Sequence, residues 1–201
     1  MAKPAEITIQ WSEPYALPDA IDPASKKRIP RSRGLFAWSV KKKQTEYLCY
    51  LQSSDQLLDR QAELVAGLLG GAYEWKDFGA KGKPVWTPGT PEDMDAADGH
   101  CHRLATMLKD WEAHAKKVGE FLSHVRIRIG EYNRDVGFGI KEVEYVLLSH
   151  VFKQAESDPA GNLVMNINLR NARNPGEENP IIIVNKGDVP PLLSARIEWP
   201  M

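Results

Sequence analysis

The sequence predicts a mixed α/β domain, and three patterns carry this prediction. Two short apolar segments, Gly34 to Val40 and Glu46 to Gln52, are separated by a basic turn, as expected of two paired strands. Residues 125 to 129, with the sequence Val-Arg-Ile-Arg-Ile, alternate apolar and basic side chains, which is the pattern of a strand. Segments with the helical spacing of apolar residues lie between and after these strands. Together they predict a sheet flanked by helices.

The residues before the first of these strands predict an edge strand and a basic arm. Residues 6 to 11 alternate in polarity, and several prolines and turn-forming residues surround them, so a short strand and then an irregular segment are expected. The irregular segment carries five basic side chains, Lys26, Lys27, Arg28, Arg31 and Arg33.

The helices follow from spacing and from their capping residues. Ser53, Ser54 and Asp55 precede an apolar stripe that ends at Gly70-Gly71, which predicts a helix over residues 56–69. Residues 100–124 and 140–154 also repeat apolar side chains with a helical period. Residues 78–99 are rich in Gly, Pro, Asp and Lys and predict a loop or insertion. The run Ile181 to Val184 predicts a late strand.

The composition restricts the class of protein. The chain has 201 residues, is 42% hydrophobic and 26% charged, and has a net charge of -1, as is usual for a globular protein of one domain. No apolar run is long enough for a membrane span, and the N-terminus is not apolar like a secretory segment, so a cytoplasmic location is expected. Two cysteines predict no disulfide framework.

The order of Gly34-Leu35-Phe36, a tyrosine-rich strand and Arg60 resembles the core of the GIY-YIG nuclease superfamily. The resemblance extends to about residue 166 and implies a small three-stranded mixed or antiparallel sheet flanked by helices. It divides the chain into an N-terminal strand and arm (1–33), a GIY-YIG-like domain with an insertion at about 78–120 (34–170), and a C-terminal extension (171–201).

The resemblance also implies a chemistry, the metal-dependent hydrolysis of phosphodiester bonds in nucleic acid. In that family a glutamate holds Mg²⁺ or Mn²⁺, a tyrosine helps to activate water and an arginine stabilises charge on the phosphate. Glu144 matches the metal ligand, Arg60 matches the arginine, and Tyr50 or Tyr47 matches the tyrosine. The two tyrosines lie three residues apart on one strand and are expected to face opposite sides. Tyr50 has the family spacing to Arg60 and is preferred.

Three positions depart from the family pattern and support an alternative function. Phe36 replaces the first tyrosine, neither Tyr47-Leu48-Cys49 nor Tyr50-Leu51-Gln52 keeps the glycine of the second half-motif, and Leu64 follows the arginine where many members have histidine or tyrosine. The alternative is a module that keeps the fold without catalysis and binds nucleic acid or a protein partner.

Because the net charge is close to zero, a nucleic-acid site must be a local cluster of basic residues. The expected partner is nucleic acid, and DNA is expected rather than RNA. The alternative interpretation of a run of charges at a turn is that its side chains are simply solvated. The candidates lie at the turn between the first two strands, on the arm and on the third strand: Lys41, Lys42, Lys43, Arg31, Arg33, Arg126 and Arg128.

His100-Cys101-His102, with His114 or His124, suggests a second and weaker metal hypothesis. Its spacing is not that of a zinc module. The sequence contains no phosphate-binding glycine loop and no nucleophile elbow.

Overall fold

The computed structural model describes residues 4–42, 44–73, 75–78, 84–87, 94–133, 137–157, 169 and 172–200, with the backbone alone at residues 42, 75–78, 84–87 and 96. It contains two compact units, residues 1–58 with 125–201 and residues 59–124. In chain order the elements are β1 (Ala5–Trp11), β2 (Tyr15–Ala16), α1 (Leu17–Ile21), β3 (Gly34–Lys42), β4 (Thr45–Ser54), α2 (Leu57–Leu69), β5 (Trp75–Phe78), β6 (Pro84–Thr87), α3 (Ala96–Lys109), α4 (Trp111–His124), β7 (Val125–Tyr132), α5 (Ile140–Glu156), β8 (Ile181–Gly187) and β9 (Arg196–Trp199).

The first unit is built on one mixed sheet of seven strands in the order β4-β3-β7-β1-β8-β9, with β2 also paired to β7. β3 and β4 form an antiparallel hairpin, and β7 pairs antiparallel with β3 on its other side. The predicted mixed α/β class is therefore confirmed, and so is the placement of residues 125–129 in the same sheet as the hairpin.

The expected small three-stranded sheet is wrong, because both ends of the chain add strands. β1 pairs antiparallel with β7 and in parallel with β8, so it is an interior strand and not the edge strand predicted from the sequence. β9 extends the sheet beyond β8. A local pattern identifies a strand, but the pairing of Ala5 with Ile181 joins segments from opposite ends of the chain that no local pattern links.

The main core lies between the sheet and α5, which contacts β3, β4 and β9. Its strand residues include Ile7, Ile9, Leu35, Ala37, Leu48, Leu51, Ile181, Ile183 and Ile197, and its helix residues are Ile140, Val143, Val146, Leu147, Leu148 and Val151. The helix residues recur every three or four positions, so one face of α5 is apolar. This burial is the main stabilising contribution in the unit.

Trp11 links the two halves of the sheet. Its indole Nε1 donates a hydrogen bond of 2.9 Å to Asn185 Oδ1 across β1 and β8. Gly130 pairs directly with Trp11, and a Cβ atom at Gly130 would lie 2.9 Å from the indole ring. Glycine is required there because the ring covers that position on the neighbouring strand.

The second unit contains most of α2, the α3 and α4 helices, and the β5-β6 hairpin. The helical pattern of residues 100–124 is divided at Asp110, between α3 and α4. Asp95 caps α3 by accepting hydrogen bonds from the backbone of Ala97 and Asp98, both at 2.9 Å, as N-cap aspartates do. Arg103 Nε donates to the Gly71 carbonyl at 2.9 Å, which fastens α3 to the end of α2.

The predicted helices over 56–69 and 140–154 are confirmed by α2 and α5. Among the helices that the structure describes, none combines the length and the apolar character needed to cross a membrane. Part of the expected insertion, residues 79–83 and 88–93, lies outside the described residues.

Candidate nucleic-acid interface

Tyr50 lies in an aromatic cluster on the face of the sheet that points away from α5. Its ring stacks on Phe36 with centroids 5.8 Å apart and is tilted against Trp38 at 6.4 Å. Its hydroxyl donates to Gln52 Oε1 at 3.2 Å, and 9% of the residue is exposed. The phenol therefore packs against Phe36, at the position where the resemblance to the GIY-YIG superfamily implies a tyrosine.

Tyr47 and Tyr50 face the same side, contrary to the expectation from their spacing. The register pairs Trp38 with Tyr50 and Val40 with Tyr47, and it shifts by one residue at a bulge between Trp38 and Ser39. Directly paired residues of antiparallel strands share a face, and one extra residue in a bulge reverses the alternation beyond it. Both tyrosines therefore lie on the face of Phe36.

Glu144 is a residue of α5 and is buried against the opposite face of the sheet. Only 1% of the residue is exposed. Its Oε2 atom accepts a hydrogen bond from Ser53 Oγ at 2.5 Å. The same atom forms an ion pair with Lys141 Nζ at 2.9 Å. Because Ser53 pairs with Leu35 whereas Gln52 pairs with Phe36, the sheet separates Glu144 from Tyr50.

This arrangement does not fit a resident Mg²⁺ or Mn²⁺ ion at Glu144. Such ions prefer several oxygen ligands including water, and a buried carboxylate that already balances a lysine charge offers neither open space nor spare negative charge. Within the described part of the chain, no three His, Cys, Asp or Glu side chains form a group that could hold a metal.

Arg60 belongs to the second unit, whereas Tyr50 and Glu144 belong to the first. On α2 its Nη1 atom pairs with Glu63 Oε2 at 2.8 Å, one turn along the helix, and 22% of its side chain is exposed. Helical pairs of this kind stabilise a helix by about 0.2–0.5 kcal/mol.

Arg128 is a buried structural residue in this structure. Its Nη1 atom donates to Ser39 Oγ at 2.8 Å and to Glu46 Oε1 at 2.6 Å, and Nη2 donates to Glu46 Oε2 at 3.1 Å. Burial alone would raise the pKa of Glu46, but hydrogen bonds from Arg128 and Ser39, with the arginine charge, lower it overall. Arg128 would have to leave Glu46 to reach a phosphate, and its assignment to nucleic acid stays a prediction from the sequence.

The other basic candidates are nearer to solvent. Arg126 is half-buried and donates to its neighbour's carbonyl, that of Val125, at 3.1 Å. Lys41 is exposed. The structure describes only the backbone of Lys42, and Lys43 lies outside the described residues. Arg31 and Arg33 are exposed, and Arg33 Nε lies 3.0 Å from Asp55 Oδ1.

The arm lines two cavities in the first unit, of about 330 Å³ and about 200 Å³. They share Pro30, Ile129 and Glu131, so they adjoin, and we name them together the arm groove. The larger cavity is also lined by Gln10, Tyr15, Lys26, Lys27 and Arg28, and the smaller by Ser32, Arg33 and Tyr132. Ligand sites commonly have volumes of this order.

Tyr15 provides an aromatic surface in the larger cavity of the arm groove. It is half-buried, and Lys27 Nζ lies 5.5 Å from the centre of its ring. Lys27 also pairs with Glu13 at 3.5 Å, with both side chains more than half exposed. An exposed cation–π contact contributes only about 0.5–1 kcal/mol. Sequence reasoning missed Tyr15 and Glu131, because only the pairing of β2 and β1 with β7 brings them to the arm.

The histidines do not form a metal site among the described residues. His100 lies 3.4 Å from the Gly70 carbonyl. Burial lowers the pKa of His114, although hydrogen bonding to the backbone of Leu68 and Leu69 acts in the opposite direction. Both are structural positions at the end of α2.

In comparisons with known proteins, no family model, no curated protein and no solved structure matches this chain.

Proposed function

We propose that this protein is a nucleic-acid-binding module without a catalytic centre, and that the arm groove is its binding surface. The observation that carries the proposal is the separation of Tyr50 from Glu144 by the sheet, together with the clustering of cations along the arm groove. The GIY-YIG resemblance implies a carboxylate and a tyrosine at one phosphate, whereas in the described part of the chain the sheet lies between Glu144 and Tyr50.

Two of the three cations in the larger cavity are available to a polyanion. Among the residues that the structure describes, the side chains of Lys26 and Arg28 have no carboxylate partner. The third, Lys27, pairs with the exposed carboxylate of Glu13. Exposed pairs of that type contribute about 0–1 kcal/mol, so a phosphate can replace Glu13 at low cost.

Backbone phosphates bound by such cations give affinity that depends steeply on salt, because each contact releases counterions. Nucleic acid, with DNA as the first substance to test, is therefore the proposed partner. Because the net charge is -1, this attraction must come from a local cluster of cations, and the arm, which includes Arg31 and Arg33, is such a cluster.

The direct test is fluorescence anisotropy with labelled single- and double-stranded DNA and RNA over a range of salt concentrations. The triple variant Lys26→Ala, Lys27→Ala, Arg28→Ala should weaken binding and reduce the slope of log affinity against log salt by about 2–3, since each contact contributes roughly 0.7–0.9. A matched control, Lys109→Ala, Lys116→Ala, Lys117→Ala, removes the same charge from exposed positions on α3 and α4.

The control should leave both affinity and slope close to those of the wild type. The proposal fails if no labelled strand binds at low salt. It also fails if the two triple variants weaken binding equally, because the effect would then be one of net charge alone.

Metal-dependent cleavage is the second candidate, favoured by the adjacency of β3, β4 and β7 in the order that the GIY-YIG resemblance implies. Incubation of DNA and RNA with Mg²⁺ or Mn²⁺ tests it. Cleavage that falls by a factor of about 100 or more in both Arg60→Ala and Glu144→Gln, but not in Glu63→Ala, would favour the nuclease. Absence of cleavage with binding retained favours the module.

A further inference from the structure

We propose that the arm groove recognises single-stranded nucleic acid, with one base stacked on Tyr15 and the amino group of another base hydrogen-bonded to Glu131. This inference rests on the proposed function and specifies the ligand of the same groove. The residues that carry it differ from the cations above, so their contributions can be measured separately.

Tyr15 supplies the stacking surface. It pairs with Ile127 on β7, and the groove opens beside its ring. Lys27 covers the ring only through an exposed cation–π contact, which is weaker than the stack of a nucleobase on an aromatic side chain. A base can therefore take the place of Lys27 over the ring, and Lys27 remains close enough to contact the phosphate of the same nucleotide.

Stacking on Tyr15 requires an unpaired base. In a duplex both faces of a base are covered by its neighbours, whereas single strands offer bases that can be splayed onto aromatic side chains. Phosphate contacts alone would not distinguish the two forms of nucleic acid. The preference for single strands thus depends on Tyr15 and not on the arm cations.

Glu131 is an exposed carboxylate in an otherwise basic groove. It repels phosphate, so its position is unsuited to the nucleic-acid backbone and suited to a hydrogen-bond donor. The amino groups of cytosine and adenine are such donors, and carboxylates accept from cytosine N4. Thymine and uracil have no amino group. Gln10 lies directly opposite Glu131 on β1 and adds an amide to the same face.

Tyr15 and Glu131 contact different nucleotides. Ile127, the partner of Tyr15, precedes Glu131 by four strand positions, which is about 13 Å at roughly 3.3 Å per residue. A strand of several nucleotides spans that separation, whereas one nucleotide does not readily reach both side chains. The ligand class is therefore a polymer, with phosphates held by the arm between the two contacts.

The test compares labelled oligo(dC), oligo(dT) and a duplex of equal length at one salt concentration. The wild type should bind oligo(dC) more tightly than oligo(dT), and both more tightly than the duplex. Tyr15→Ala should weaken binding of the single strands by about tenfold or more, from the value of one lost stack. It should leave duplex binding and the salt slope unchanged, and Tyr15→Phe should retain the wild-type affinity.

Glu131→Gln should reduce the ratio of oligo(dC) to oligo(dT) affinity toward one, whereas the matched control Glu120→Gln, at an exposed position on α4, should not. Because Glu131 is exposed, its variant remains informative even if Tyr15→Ala unfolds. Equal binding of single strands and duplex, or an unchanged base preference in Glu131→Gln, overturns this inference and leaves the proposed function intact. Failure to bind any of the three overturns both.

Discussion

Two arginine–carboxylate pairs in the first unit, Arg128 with Glu46 and Arg33 with Asp55, have the same chemistry and different surroundings. In the first pair the guanidinium contacts both carboxylate oxygens, at 2.6 and 3.1 Å, with side chains 7% and 27% exposed. In the second, one contact of 3.0 Å joins side chains that are 44% and 78% exposed. Removing one partner of a buried pair costs about 3–5 kcal/mol, whereas an exposed pair contributes about 0–1 kcal/mol.

The difference separates arginines that hold the fold from arginines that are available to a ligand. When a phosphate takes the place of Asp55 beside Arg33, water solvates the exposed Asp55 carboxylate, so the exchange costs little. If Arg128 moved to a phosphate, in contrast, the carboxylate of Glu46 would stay charged and partly buried without its partner. Glu144 and Glu131 differ in the same way. Glu144 is enclosed with Ser53 and Lys141 and holds the fold, whereas Glu131 is open to the arm groove and available to a ligand.

The largest expected effect is that of Glu46→Ala, because it leaves the guanidinium of Arg128 buried without its partner. We expect a loss of about 3–5 kcal/mol in the free energy of unfolding, measured by urea titration. Glu6→Ala is the matched control, since Glu6 is a strand glutamate whose contact with Arg196 is long, at 4.0 Å, and exposed. The double variant Glu46→Leu, Arg128→Met should recover much of the loss, as apolar replacement of a whole pair often does.

The next effect concerns Glu144. In Glu144→Ala the hydroxyl of Ser53 stays buried without an acceptor, whereas Lys141, with 36% of its side chain exposed, can turn toward water. An unsatisfied buried polar group costs about 1–3 kcal/mol, so we expect a loss in that range. Glu156→Ala, at an exposed position on the same helix, should change the free energy of unfolding little. A loss no greater than that of Glu156→Ala would contradict a structural role for Glu144.

A smaller effect is expected in the pH dependence of stability. The pKa of Glu46 is lowered from its ordinary value of 4.5 in the folded state, because hydrogen bonds from Arg128 and Ser39 outweigh the opposing effect of burial. The unfolded state therefore binds the proton first, and the contribution of Glu46 is fully present above pH 4.5 and lost as the pH falls through the folded pKa. Urea titrations in this acid range should show a steeper loss of stability in the wild type than in Glu46→Gln. Equal slopes would contradict the lowered pKa.

The sequence predicted elements whose signals are local. The hairpin, α2, α5 and the strand at residues 125–129 follow from alternation, helical spacing and capping, all contained within a few turns of chain. The neighbours of β1 could not be predicted, because its parallel pairing with β8 depends on the whole core. The sheet was therefore expected to be smaller than it is.

The candidate site was harder to predict, because its errors arose from single residues. The register shift between Trp38 and Ser39 places Tyr47 and Tyr50 on one face, and no sequence signal marks that bulge. The alternation around Arg128 correctly indicates a strand, but it does not reveal that Glu46 and Ser39 enclose the arginine. The basic arm was recognised from its composition, whereas Tyr15 and Glu131 join it only through strand pairing.

The smallest expected effect on stability is that of breaking the exposed pair, and it gives the sharpest contrast in binding. Arg33→Ala and Asp55→Ala should each change the free energy of unfolding by less than about 1 kcal/mol, the upper limit for exposed pairs.

The effects of Arg33→Ala and Asp55→Ala on nucleic-acid affinity should have opposite signs. Arg33→Ala removes a phosphate contact and should lower the salt slope by about 0.7–0.9, whereas Asp55→Ala removes the competing carboxylate and should strengthen binding. Anisotropy titrations of both variants decide the matter: equal shifts in the same direction would show that Arg33 does not contact the ligand, and that the pair serves only to hold the arm beside β4.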